Sequence, residues 1–435
     1  MNETLGILLI VGTLIGCLAL GVWVAVSLLL SGIVGMLVYS TAPIERALSS
    51  NLWSTSSEWS LAALPLFIWM GEILFRSRMS NDLFTGISPW MQRLPGRLSH
   101  VPVLACGVFA AVSGSSAATC ATVTKVALPE LRKRGYDERL VLGTIAGSGT
   151  LGLLIPPSII MIVYGVAAEI SIARLFIAGV VPGLMVIGLY MVYIMFWSLI
   201  NSNKVPSRDP SRPFIEKLRA TRRLIPVVLL IFTVIASIYM GIASPTDSAA
   251  VGVVMSLLLS RWFGDLNWKT FVAGLYSATM TSCMIAFILA GAAFLTLAMG
   301  YSGLPARLAG AIGDMGLNVY ALLAALTVFF ILAGTVLDGI SIIVLTTAVL
   351  LPMVQAAGID PIWFGIYLVL TVEMGLITPP VGLNLFVLQG MTGKNLVYLS
   401  QAALPFFLML LVAVLLLVIF PGIATWLPDQ MFGGS

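Results

Sequence analysis

Apolar stretches of about 20 residues, the length a helix needs to cross a bilayer, recur from residue 5 to residue 425 of this chain. The pattern predicts spans at 5–20, 22–41, 60–76, 138–165 and 172–199, then a polar segment over 201–223. Further spans follow at 224–240, 247–263, 270–299, 361–390 and 396–420. Two more apolar stretches, 100–128 and 319–352, are interrupted near their middles by Gly with Ser, Thr or Asp. Each reads as a re-entrant helical hairpin that enters and leaves on one side. Two amphipathic segments precede them. In 79–95, Leu83, Phe84, Ile87, Trp90, Met91 and Leu94 share a helical face, and in 302–315 Leu304, Leu308, Ile312 and Met315 do the same. Helices of this kind lie in the membrane surface.

Composition agrees. Of the 435 residues 59% are hydrophobic and 9% charged, against roughly 25% charged in an ordinary soluble domain. The mean hydropathy is +1.06. Cys17, Cys106, Cys120 and Cys283 all lie in apolar segments without CxxC spacing and read as small buried hydrophobes. The N-terminus has no Lys or Arg before its first apolar run, so residues 5–20 read as a retained span rather than a cleaved signal. The predicted alternation places all of the 22 basic residues except Arg46, Arg174 and Arg307 on one side, which the positive-inside rule makes the cytoplasm. Both termini then face out. The net charge of +4 is too modest to suggest nucleic acid.

An internal repeat organises these elements. LPELRKRGYD at 128–137 and LPMVQAAGID at 351–360 share Leu, Pro, Gly and Asp at an offset of 223. The same offset carries Gly152, Leu153, Pro156 and Pro157 onto Gly375, Leu376, Pro379 and Pro380. The fold class expected is therefore an all-α polytopic membrane protein with two repeats of inverted topology. The first, 1–200, holds scaffold spans 5–76, an interfacial helix 79–95, a hairpin 100–135, a broken helix 138–165 and a span 172–199. Residues 201–223 are a basic, solvated connector. The second repeat, 224–435, holds spans 224–299, an interfacial helix 302–315, a hairpin 319–357, a broken helix 361–390 and a span 396–420.

Chemistry is expected at the breaks. Secondary transporters bind substrate and ions near the midplane, at broken helices of their repeats. Proline removes an N–H and frees a carbonyl one turn back. Sodium is a hard cation that prefers oxygen ligands, by the logic used for calcium. Gly152-Leu-Leu-Ile-Pro-Pro157 and Gly375-Leu-Ile-Thr-Pro-Pro380 are thus candidate ion loops, with a structural kink as the plainer alternative. The first hairpin tip, Ser113-Gly-Ser-Ser-Ala-Ala-Thr119, offers hydroxyls to a cation or a carboxylate. The second, Gly334-Thr-Val-Leu-Asp338, sets a carboxylate in an apolar run, which marks a functional site by default. Glu72 and Glu373 are either functional or bonded within the scaffold, and Asp247 reads as a helix cap. His100, the one histidine, lies outside any HExxH pattern, and no Walker A loop is present. An enzyme is not expected.

These motifs resemble the large membrane subunit of the tripartite ATP-independent periplasmic (TRAP) transporters over nearly the whole chain. The resemblance rests on 113–119, Pro129–Tyr136, Gly149–Ser158, Ser244–Asp247, Asp338-Gly339 and Glu373–Gly382. One departure is Asp247, where the family pattern leads one to expect Glu. The resemblance implies an elevator-type transporter of the bacterial inner membrane, with the hairpins and broken helices as the mobile part and the other spans as scaffold. It implies uptake of small organic acids such as C4-dicarboxylates or sialic acid, a small four-span membrane subunit and a soluble periplasmic binding protein. It implies sodium as coupling ion, at sites matching Ser113, Gly152, Ile155 and Pro157. The repeat extends these to Gly334, Asp338, Gly375, Thr378 and Pro380. Ser115, Ser116, Thr119, Thr335 and Asp338 are the expected substrate contacts. A stand-alone ion-coupled carboxylate symporter is the nearest alternative; an intramembrane enzyme or a channel is the more distant one.

Overall fold

A computed structural model describes residues 3–77, 79–207, 213–263, 266–303, 310 and 318–432. The described residues carry helices and no strands. The first run is α1 (Glu3–Ala19), α2 (Val24–Tyr39), α3 (Ile44–Ser56), α4 (Ala63–Phe75), α5 (Met79–Met91), α6 (Val101–Ser113), α7 (Ser116–Lys133), α8 (Glu138–Gly149), α9 (Ile159–Ala167) and α10 (Ile172–Ile200). A short helix, α11 (Phe214–Thr221), follows. The second run is α12 (Ile225–Tyr239), α13 (Pro245–Trp262), α14 (Trp268–Ser302), α15 (Val319–Gly334), α16 (Gly339–Ala356), α17 (Pro361–Leu376), α18 (Leu383–Thr392), α19 (Leu396–Ile419) and α20 (Gly422–Phe432). The amphipathic segment expected at 302–315 lies almost wholly outside the described residues.

The offset of 223 holds between elements as well as motifs. Shifted by it, Ser116 and Lys133, the ends of α7, become Gly339 and Ala356, the ends of α16. Glu138, the start of α8, becomes Pro361, the start of α17. The Pro156–Pro157 and Pro379–Pro380 bonds are both cis. The copies differ at α3. In the first, α3 meets the 59–75 segment at 53°, because Glu58 leaves the helix in an extended conformation. In the second, the matching stretch is the unbroken 35-residue α14.

The helices form two packed groups. In one, α14 lies along α2 and α4, and α4 lies along α13. Large apolar side chains such as Phe232, Met240, Val254 and Tyr276 point outward from this group, as suits a hydrocarbon solvent. The other group holds the hairpins and broken helices, and it also takes α10 and α19. The latter pack on each other, on α8 and on α17, so these two spans side with the broken helices rather than with the scaffold expected of them. Small residues let them approach. A Cβ on Gly143 would stand 2.1 Å from the Ala402 carbonyl oxygen, and one on Gly147 would stand 2.5 Å from Phe406 Cβ. Two helices, Ile44–Ser56 and Gly422–Phe432, have no counterpart in the hydropathy pattern. Both are short and partly polar, and neither is long enough to cross alone.

Replacing Gly143 with Leu should force α8 from α19 and cost about 1–3 kcal/mol, the usual penalty of overpacking. Thermal unfolding of the detergent-purified chain should show a lowered transition.

Candidate functional site

The first hairpin turns in two residues. α6 ends at Ser113, and Gly114 takes φ +58 with a backbone that a side chain would strain. Ser115 then caps α7, its Oγ accepting from Ala118 N at 3.4 Å. Ser113 Oγ and Thr119 Oγ1 lie 2.7 Å apart, and Thr119 Oγ1 also donates to the Ser115 carbonyl at 2.7 Å. The second hairpin turns through 335–338. Asp338 occupies the position equivalent to Ser115 and does the same work with a carboxylate. Its Oδ2 accepts from Ile340 N at 3.1 Å and Ser341 N at 3.2 Å, and its Oδ1 accepts from Ser341 Oγ. Asp338 is exposed at the tip, and the aligned N–H groups of the helix N-terminus favour a negative charge there.

Each tip rests on a helix break through glycine. A Cβ on Gly152 would stand 2.7 Å from the Ser115 carbonyl carbon and 2.9 Å from Ser116 N. A Cβ on Gly114 would stand 3.3 Å from the Pro157 carbonyl oxygen. In the second copy Gly334 and Gly375 meet backbone to backbone, with 2.5–2.8 Å from either added Cβ to the other's Cα. The breaks themselves differ in exposure. Pro156 and Pro157 are buried, whereas Pro379 and Pro380 are exposed.

A cavity of ≈ 230 Å³ lies where these parts converge. Ser113, Ser115 and Ser116 line it from the first tip and Asp338 from the second. Leu153 and Leu376 come from the two breaks, and Glu72 of α4 and Thr281 of α14 from the other helix group. Glu72 is held in place, accepting from Ser277 Oγ at 2.8 Å and from Arg76 Nε at 3.0 Å. Its place in this wall had no sequence signal beyond a lone acid in a span, and Thr281 had none at all.

The other expected residues fall around the cavity rather than in it. Thr119 is buried behind Ser113. Thr335 and Thr378 turn their hydroxyls to Leu332 and Met374 carbonyls at 2.7 and 2.6 Å. Gly152, Pro157, Gly334, Gly375 and Pro380 do not line it, and the Ile155 side chain packs towards Gly107 and Gly183. Glu373 is fully buried, with Thr150 Oγ1 3.4 Å from its Oε2. These two occupy equivalent positions in the two copies, so their contact joins the broken helices to each other. Asp247 caps α13 in a reciprocal box with Ser244, as expected. Among the described residues no three His, Cys, Asp or Glu gather as metal ligands.

Residues 11–423 match the family described as the tripartite ATP-independent periplasmic transporter, DctM component. The chain is 34% identical over 406 residues to the C4-dicarboxylate TRAP transporter large permease protein DctM of Pseudomonas aeruginosa, covering 93% of this chain and 94% of that one. It is 30% identical to the ectoine TRAP transporter large permease protein TeaC of Halomonas elongata, covering 98% and 99%. It is 30% identical to the isethionate TRAP transporter permease protein DctMQ of Oleidesulfovibrio alaskensis, covering 93% of this chain and 64% of that longer protein. Its fold resembles the crystal structure of the YdaH transporter of Alcanivorax borkumensis, with a TM-score of 0.67 at 14% identity over 93% of this chain and 98% of that one.

Replacing Gly152 with Ala should push the first tip off its break. Amide hydrogen exchange over 113–119 should then quicken by about ten-fold or more, while Ser115→Ala, which removes one long cap bond, should change it less.

Proposed function

Because the chain belongs to the DctM component family of tripartite ATP-independent periplasmic transporters, a family of membrane permeases and not of enzymes, we propose that it is the transport subunit of a sodium-driven uptake system for a small organic acid. The cavity between the two hairpin tips carries this reading. Its wall offers hydroxyls from Ser113, Ser115, Ser116 and Thr281 that can donate to a carboxylate. Its charged lining residues, Glu72 and Asp338, are both acidic. Arg76 already offsets Glu72 at 3.0 Å, whereas Asp338 has no basic partner among the described residues, so an anion held beside Asp338 needs a cation to offset the repulsion, and a hard monovalent ion suits a site of hydroxyl, carboxylate and carbonyl oxygens. Ser113, Gly152, Ile155 and Pro157 would supply the first ion site. Gly334, Asp338, Gly375, Thr378 and Pro380 would supply the second, with the glycines, Ile155 and the prolines acting through backbone carbonyls. Ser115, Ser116, Thr119 and Thr335, with Asp338, would complete the substrate site.

The glycine contacts support an elevator motion. They leave no room between tip and break, so each pair moves as one body. Glu72 and Thr281 belong to the other helix group, so the cavity wall is the surface along which such a body would slide. The first hairpin would open to the cytoplasm and the second to the outside, with both termini periplasmic and the chain in the inner membrane. The substrate is left open by the relatives, since proteins named for C4-dicarboxylate, isethionate and ectoine stand at similar identity. All three compounds carry a carboxylate or sulfonate, and sialic acid fits the same chemistry. A small four-span subunit and a periplasmic binding protein would complete the system. The DctMQ relative supports the former, because its name joins two components and this chain spans 64% of it.

Proteoliposome uptake tests the proposal, with sodium, the small subunit and a cognate binding protein varied separately. Uptake should require all three, and sodium-independent uptake would sink the coupling. Asp338→Asn keeps a capping oxygen but loses the charge. It should raise the sodium concentration for half-maximal uptake by roughly ten-fold, the scale of one charge-assisted contact.

A further inference from the structure

Residues 201–223 read from sequence as a solvated connector, and within them the structure builds a helix, Phe214–Thr221, whose exposed face carries large apolar residues as well as charges. Phe214, Ile215 and Leu218 of α11 are 66%, 71% and 56% exposed. At 100° per residue these three share one exposed arc with Arg219 and Arg222. Arg223 follows, also exposed, with a long contact of 3.8 Å to Asp82. Neither Arg219 nor Arg222 forms an ion pair among the described residues, and one exposed acid, Glu216, lies at the edge of the arc, so the arc is net cationic. The helical run from Phe214 to Tyr239 covers 26 residues, about 39 Å at 1.5 Å per residue. That exceeds the ~30 Å hydrocarbon core, so its α11 end stands at headgroup level. A face that is both apolar and cationic fits neither bulk water nor acyl chains. It fits the boundary between them on a leaflet with negative headgroups.

This end of the run is tied to the first hairpin. Trp90 of α5 donates from Nε1 to Thr221 Oγ1 at 2.8 Å, and its ring meets that of Phe214 edge-on at 6.1 Å. A Cβ on Gly86 would stand 2.6 Å from Leu224 Cγ, so α5 lies close against the turn after α11. On its other side α5 buries Leu83 and Phe84 against α6 and α7. A ligand on the arginines therefore acts on a brace that grips the first hairpin.

We infer that Arg219, Arg222 and Arg223 bind the phosphate of an anionic phospholipid in the inner leaflet, and that this lipid steadies the α11–α5 brace. The assignment to the inner leaflet rests on the sidedness proposed above. Native mass spectrometry of the full chain, titrated with phosphatidylglycerol or phosphatidylcholine, measures the binding. Phosphatidylglycerol should be retained more tightly, and affinity should fall about five-fold for each arginine neutralised in R219Q and in R219Q/R222Q/R223Q. R219K/R222K/R223K should retain it. Bound phosphatidylglycerol should also slow amide exchange over 79–91. Equal retention of the two lipids, unchanged retention by the triple Gln variant, or unchanged exchange over α5 would each overturn the inference. So would soluble polyglutamate displacing the lipid, which would make the arginines a protein-docking surface. Sidedness is read separately, by an impermeant maleimide on R219C in a chain carrying C17S and C283S. Labelling should occur in inside-out vesicles. Labelling of intact cells would overturn the inner-leaflet assignment and the proposed topology, even with lipid retention in detergent intact.

Discussion

Everything distinctive in this protein follows from one constraint: a backbone at membrane depth has no water to satisfy its N–H and C=O groups. A chain that breaks two helices and folds two hairpins inside a bilayer must supply partners from itself. Ser158 donates its Oγ to the Leu153 carbonyl across the first break and accepts from Met161 N at 3.4 Å, serving both ends of the gap. Ser115 and Asp338 cap the second helix of each hairpin. The remaining cover comes from the hairpin tips, laid onto the breaks at distances that glycine alone permits. The oxygens suited to a cation or a carboxylate are thus a consequence of how the fold covers its own discontinuities.

The two copies meet the constraint differently, and the difference gives the cavity its character. The first tip uses neutral hydroxyls and its break is buried. The second tip uses a carboxylate, and its prolines are exposed. One break is thus packed and the other open. The α3–α4 bend and the straight α14 extend the asymmetry to the other helix group. Glu373 and Thr150 do the reverse and join equivalent positions.

Hydropathy was sufficient to read a multi-pass membrane chain, because length and apolarity are one-dimensional properties of a segment. The repeat was equally legible, since Pro129, Pro156, Pro352 and Pro379 mark backbone events that leave a residue-level trace. The hairpins were readable from small and hydroxyl residues inside apolar runs. Three things were not. α3 and α20 are too short and mixed to stand out from loops. The grouping of α10 and α19 with the broken helices depends on which faces meet, through Gly143, Gly147 and Phe406. The helix at 214–221 looked like a basic linker, because the apolar residues on its arc are interleaved with arginines and gain meaning once Trp90 is beside them.

The sequence by itself determined that the chain crosses a membrane many times, that it does so in two copies 223 residues apart, and where each copy breaks. Those features are local, written in runs, prolines and glycines. The tertiary structure decided which of the marked residues share a space. It set Ser113, Ser115, Ser116 and Asp338 around one cavity, brought Glu72 into the wall, and turned Thr335 and Thr378 inward to their own helices. That distribution depends on helix packing between segments more than 200 residues apart, for which a linear pattern carries no geometry.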